Sequence, residues 1–464
     1  MERADVPSVE GEVVFLTIWF KRLMGSPRLI VWLGLFVFLY ALLASLILQL
    51  WVIPAFFTQP GAAEGLVVLD SLEFDRIAKR KAAEIVSLGW SAWELKPKGQ
   101  FPAGMASVFY ALFGPAPTRM LPFNAAVHAI SACAVMLILR NFFMAVPALI
   151  GALVFALNPA SFEWVSQIHR DGIFILGNLL LILGVLRFIR GVEPPNGDEV
   201  WYWLIWFLIP LVGTLLIWMA RPYWIQIALI TLIFTVVIVI LTISFQGKIA
   251  GRNIILFAAM ALLLGVFQLG LIHIFTSQAD GFGAESQADG FGAIWQRSNW
   301  LPKAIDDRFY NVARARLGAI SQGGNSLVDA DWRLDSVGAI VGYVPRALQL
   351  GLFSPFSNLW AGEGSTPAMT MARKVMGGVT LFFYVCLIGC GVGLWHMRRN
   401  LLFWVMLGTC LIGILVYAIV YPNVGTLMRY RYAFHMLLIS FGVAFWSDLW
   451  LKRINRSKTG EYLR

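Results

Sequence analysis

The chain has 464 residues, 59% of them apolar and only 13% charged, with a mean hydropathy of +0.73. That balance excludes a water-soluble globule. The net charge of +10 suits contact with anionic lipid or a phosphate-bearing ligand. It does not point to nucleic acid, because no basic cluster with interleaved aromatics lies in a soluble region.

A run of roughly 20 apolar residues crosses the bilayer core as a helix, the one local structure that satisfies its own backbone hydrogen bonds in lipid. Residues 1–28 form an N-terminal segment in which 13–24 reads as an amphipathic helix lying along the interface. Ten spans are expected, near 29–56, 120–139, 144–158, 172–189, 200–219, 224–245, 254–275, 375–397, 401–420 and 433–451, the third of them short. The first starts too far in and is too long for a cleaved signal peptide, so it is read as a retained anchor. Lys21, Arg22, Arg28, Arg140, Arg187, Arg190, Lys248, Arg252, Arg398, Arg399, Lys452, Arg453, Arg456 and Lys458 fall at every second boundary. Basic residues in short loops mark the cytoplasmic side. Both termini are therefore expected in the cytoplasm, and the excursions 57–119 and 276–374 on the outer face. The fold class is an all-α polytopic membrane protein with interfacial helices in two large outer loops. It divides into an N-terminal membrane module 29–275, an outer region 276–374, C-terminal spans 375–451 and a basic tail 452–464.

Within the first excursion, 70–88 has a helical period with Leu72, Ile77, Ala78, Ile85 and Leu88 as buried positions. Residues 101–114 form an apolar helix too short to span. The second excursion carries a direct repeat, SQADGFGAE at 277–285 and SQADGFGAI at 286–294. One tandem copy does not make a solenoid, and Asp280 with Asp289 supplies too few ligands for calcium. Residues 336–358 are apolar but interrupted by Pro345, Arg346 and Pro355, and are placed along the interface. Cys133, Cys386, Cys390 and Cys410 all fall within spans and read as packing residues.

Three groups carry candidate chemistry. Asp70 and Glu73 share a helix face at the start of 70–88, with Asp75 close by. A carboxylate at a membrane surface suits proton abstraction or cation binding, while an Asp three residues before a Glu also suits an N-cap. The loop EWVSQIHRD packs Glu163, His169, Arg170 and Asp171 between two spans. Arg119, Arg170, Arg221, Arg346, Arg429 and Arg431 stand at outer helix ends, where guanidinium groups suit phosphate and lipid headgroups alike. Asn423, Gly425 and Thr426 are candidate donors to an anion shared with Arg429 and Arg431. The zinc-protease, P-loop and serine-hydrolase motifs are absent from the sequence.

DSLEFDRIA (70–78), FPAGMASVFYALFGPAPTRMLPFNA (101–125), FALNPASFEWVSQIHRDGIF (155–174), YVPRALQLGLFSPFSNLW (343–360) and NVGTLMRYRY (423–432) together resemble segments of the GT-C superfamily, membrane glycosyltransferases that use lipid-phosphate-linked sugars. The resemblance implies a glycosyltransferase active on the outer face of a bacterial inner membrane. Its donor would be a polyprenyl-phosphate sugar and its acceptor a glycan, lipid or protein. Asp70 maps to the first-loop acid that serves as base or acceptor-orienting group, with Asp171 as a second catalytic acid. Arg429, Arg431 and Arg221 are assigned to the donor phosphate, and Glu73, Asp75, Glu163, His169 and Arg170 to support of the acceptor. No cofactor or metal ligand is assigned, and a divalent cation (Mg or Mn) is left open. Ser71 and Phe74 depart from the family, many of whose members have an adjacent acid and a Tyr at those places. The alternatives are a polysaccharide polymerase or ligase using a pyrophosphate-linked glycan, and a lipid-linked-sugar transporter.

Overall fold

The computed structural model describes residues 28–191, 199–246, 251–279, 294–324, 326–363 and 367–458. The N-terminal amphipathic stretch, residues 280–293 of the repeat and the end of the basic tail lie outside the described residues. Among them nine helices are long and apolar enough to cross a membrane, or ten if one bent pair is a span. The chain is an all-α polytopic membrane protein.

The first span, α1 (Arg28–Phe56), buries Leu29, Leu33, Val37, Ala41 and Ser45, a stripe at intervals of four, and leaves its other faces to lipid. Its C-terminal third passes through a π-helical turn at Leu48–Val52. Helices α2 (Leu69–Leu88) and α3 (Phe101–Phe113) then pack on each other outside the spans. Buried Asp75 fixes the pair by accepting the Tyr110 hydroxyl proton at 2.6 Å and pairing with Lys79 at 2.8 Å. Ile77, Ala78 and Ile85 are buried as the helical period predicts, whereas Leu72 is half-buried and Leu88 is 70% exposed. Leu88 precedes the capping Gly89, where the chain has already turned away from α3.

Helix α4 (Leu121–Leu139) returns through the membrane. The third expected span is corrected. It is a helix of 12 residues, α5 (Ala145–Ala156), followed by a segment Pro159–Val165 bent from it by 51°. That segment ends in the single turn α6 (Phe162–Val165). Asn158 and Pro159 cause the break, since proline removes a helical donor and the Asn158 side chain accepts the Ala160 N–H instead.

Helices α7 (Asp171–Arg190), α8 (Glu199–Ala220), α9 (Ile225–Gln246) and α10 (Gly251–Ala279) complete the first module. The centre is α7, buried on nearly every face. It meets α8 at a glycine contact: a Cβ added at Gly177 would lie 2.8 Å from the Gly213 carbonyl oxygen. In lipid such small-residue contact replaces the solvent-driven packing of soluble proteins.

In the second excursion α11 (Lys303–Ser321) precedes α12 (Val337–Phe353), which runs unbroken through Pro345 and packs against the later helix Leu401–Val420. Asp329 anchors α12 through Arg346 at 2.8 and 3.1 Å. The chain closes with α13 (Pro367–Met397), α14 (Leu401–Val420), the short α15 (Val424–Tyr430) and α16 (Tyr432–Lys458). Alternating helix directions bring the loops after α1, α6, α8 and α14 to one end of the bundle. The turns after α4 and α13 lie at the other.

Candidate active site

A junction of two loops holds Asp70 in place. Gln167 clamps the strand-like approach to α2: its Oε1 accepts the Val67 N–H at 3.0 Å, and its Nε2 donates to the Gly65 carbonyl at 2.9 Å. Asn124 of α4 holds the same segment from below by donating to the carbonyls of Val165 (3.2 Å) and Gln167 (2.8 Å). From the π turn of α1, Gln49 donates to the Ser166 carbonyl. Gly65 is required at this crossing. It has φ +79°, and a Cβ there would lie 2.6 Å from the Gln49 carbonyl oxygen. None of these positioning residues stands out in the sequence, because a buried amide in an apolar run has no periodic signature.

This clamp starts α2 at Leu69 with Val68 as its cap and no side-chain cap bond. The N-cap alternative for Asp70 is therefore set aside. Its carboxylate, 44% exposed, instead faces His169 Nε2 at 3.9 Å and Arg429 Nη2 at 3.5 Å.

Arg429 is the hub of the site. Its guanidinium reaches Asp171 Oδ2 at 3.0 Å, Glu163 Oε1 at 3.3 Å and Asp70 Oδ2 at 3.5 Å. Three acids from two distant segments thus share one cation, whose own side chain is 14% exposed. Asp171, at 1% exposure, also pairs with Arg221. Arg221 in turn donates to the Tyr417 hydroxyl at 3.0 Å and lies 3.6 Å from the centroid of the Tyr430 ring. His169 Nδ1 meets the Asp171 backbone N–H at 3.2 Å and lies 3.2 Å from Asp171 Oδ2, while its Nε2 faces Asp70 at 3.9 Å. Burial holds the imidazole well below its ordinary 6.5, so it is neutral at pH 7. Arg170, half-buried beside this pair, keeps an Nε–H with no hydrogen-bond partner among the described residues.

No family model and no curated protein matches the chain. Among solved structures it is similar to the archaeal oligosaccharyltransferase AglB of Archaeoglobus fulgidus in complex with an inhibitory peptide and a dolichol-phosphate. That overlay has a TM-score of 0.48 and 13% identity, and covers 93% of this chain and 52% of that one. The Archaeoglobus fulgidus oligosaccharyltransferase in its apo form gives a TM-score of 0.47 at 13% identity, covering 92% and 52%. The chain spans about half the length of these structures. At such scores the likeness is loose, and the chemistry below stands on this chain's own residues.

Several sequence expectations are corrected. Arg431 does not join the cluster. Buried to 2% exposure, it donates to the carbonyls of Leu350 (2.8 Å), Gly351 (2.5 Å) and Ser354 and to the Ser354 hydroxyl (3.1 Å), closing the end of α12. Its donors serve the backbone and not a phosphate. Arg221, at 1% exposure, faces Asp171 and aromatic rings rather than an open surface. Asn423 caps α15 by accepting the Thr426 N–H at 3.3 Å, so these two groups are also spent on the fold. Glu73 pairs with Arg76 at 2.9 Å in solvent, and Asp75 faces α3. Neither meets Arg429.

Among the described residues no group of three or more His, Cys, Asp or Glu side chains is disposed to hold a metal ion. The acids that gather here converge on the Arg429 guanidinium, which supplies the positive charge itself.

Proposed function

We propose that the protein is a glycosyltransferase that moves a sugar from a polyprenyl-phosphate donor to an acceptor hydroxyl at the outer face of a bacterial inner membrane. The observation that carries this reading is Asp70, a partly exposed carboxylate at a helix start held by Gln167, next to a cation anchored by the buried Asp171 and the exposed Glu163. The acceptor oxygen attacks the anomeric carbon and the bond from that carbon to the phosphate oxygen breaks. Its electron pair remains on the phosphate, and the acceptor proton passes to Asp70. Configuration at the anomeric carbon inverts. The leaving phosphate needs fixed positive charge. Arg429 provides it, with Arg170 beside it, by releasing its longest contact, the one to Asp70. Glu163 and Asp171 keep the guanidinium aimed, so Asp171 is a positioning acid here rather than a proton carrier.

An apolar groove of about 480 Å³ between α5 and α13 supports a lipid-borne donor. Its walls include Leu153, Val154, Phe382 and Phe383, and its head is at Asn158 and Pro159, on the bent segment that carries Glu163. A polyprenyl chain lying there has its phosphate near the acid–arginine cluster. The basic residues at the opposite end of the bundle support the outer-face placement.

The test is transfer of labelled sugar by the purified full-length protein, comparing polyprenyl-phosphate donors with pyrophosphate-linked glycans. Asp70→Asn is expected to lower transfer about 10²- to 10⁴-fold. A folded Asp70→Asn protein that transfers at the wild-type rate removes Asp70 from the chemistry. Turnover of the pyrophosphate donors alone favours a polymerase or ligase.

A further inference from the structure

A second cavity, of about 260 Å³, lies at the end of the bundle away from the acid cluster. Its apolar walls include Leu241 of α9 and Leu401 and Trp404 of α14; Thr242 contributes one hydroxyl, and Arg398 and Arg399 line the rim. The helix lengths fix its depth. Thr242 is 17 residues beyond Ile225, near Arg221, and α14 has 20 residues between Leu401 and Val420. At 1.5 Å per residue both place the cavity about 25–30 Å from the acid cluster, one hydrocarbon thickness away.

The turn that bears the arginines is pre-formed. The Trp404 indole N–H donates to the Arg398 carbonyl at 2.8 Å, and the Asn400 side chain caps α14 by accepting the Phe403 N–H at 3.3 Å. The Arg398 guanidinium lies 4.1 Å from the centroid of the Trp395 ring. Arg399 makes no hydrogen bond or ion pair among the described residues, and none of the lining residues is acidic. Two arginines that pair with no acid among the described residues therefore border an apolar recess at this end of the bundle. A soluble anion matches the rim and not the floor. A neutral lipid matches the floor and not the rim.

We propose that this cavity binds an anionic phospholipid of the adjacent leaflet, with one acyl chain against Leu241, Leu401 and Trp404 and the phosphate on Arg398 and Arg399. The site is independent of sugar transfer, and its test needs no activity. The full-length protein is delipidated and equilibrated with equal phosphatidylglycerol and phosphatidylcholine of the same chains, and retained lipid is identified by native mass spectrometry. Wild type is expected to retain phosphatidylglycerol about tenfold over phosphatidylcholine. Arg398→Gln with Arg399→Gln is expected to abolish that preference, and Thr242→Trp, which fills the recess, to lower retention of both lipids. Equal retention of the two lipids by wild type, a preference that survives the double variant, or displacement of the phosphatidylglycerol by inorganic phosphate overturns the proposal. If the variants do not fold, a diazirine-bearing phosphatidylglycerol decides on wild type. Label on Leu241 or Trp404 supports the site, and label confined elsewhere overturns it.

Discussion

Arg429 and Arg431 are two positions apart, and the sequence offers them as equals. Residues so spaced at a helix end point to different sides. One meets three carboxylates and the other closes the end of α12 with its carbonyl contacts. The proximity of Glu163, His169 and Asp171 is legible in a nine-residue loop. Their link to an arginine 266 residues beyond Glu163 is not, because no local period encodes a long-range ion pair. Asp171 carries the most consequence. Asp171→Asn leaves the buried Arg221 guanidinium without a carboxylate, at an expected cost of about 3–5 kcal/mol. Thermal unfolding in detergent measures it, and adding Arg221→Met is expected to recover part of the loss. His169 sets a pH dependence. Its folded-state value lies below 6.5, so below that pH the unfolded chain binds the extra proton and the folded one does not. Stability therefore falls as pH drops through 6.5. A His169→Gln protein is expected to show a shallower acid limb in melting temperature, and an unchanged limb rules the histidine out.

At the scale of elements, the period of 70–88 predicts α2 and its buried Ile77, Ala78 and Ile85, while Leu72 near the start is half-buried and Leu88 at the end is exposed. What the period cannot show is where the helix begins. Two bonds from Gln167 and a close crossing at Gly65 set that start and, with it, the direction of the Asp70 side chain. Gln167→Leu removes both bonds, at about 1 kcal/mol each. Hydrogen exchange is expected to quicken at residues 65–72 and to stay unchanged in the spans. If the segment exchanges no faster than in wild type, Gln167 is not its clamp. The expected break at Pro345 is absent for a related reason. Tertiary anchoring of α12 by Asp329 and Arg431 outweighs one lost backbone bond.

For the whole molecule, hydropathy located every span but the bent third, since lipid leaves a helix few alternatives. Loop docking was not legible, because polar contacts among distant loops follow no repeat. The alternation of helix directions gives a direct check on topology. The native cysteines offer little background: Cys386, Cys390 and Cys410 are buried and Cys133 is half-buried. A membrane-impermeant maleimide is expected to reach Ser91→Cys from one side of sealed vesicles and Lys452→Cys only from the other. Labelling of both from the same side contradicts the arrangement.

The bend after α5 has a consequence for the surrounding lipid. Twelve helical residues cover only about 18 Å, little more than half of the hydrocarbon thickness. Along that flank the bilayer meets a full-length wall on one leaflet and a shortened one on the other. By its length, this flank is expected to thin the leaflet on the Asp70 side. If the donor is the polyprenyl phosphate proposed above, this flank is where its chain is expected to enter. On that reading, membrane thickness becomes a setting on how readily the protein is supplied.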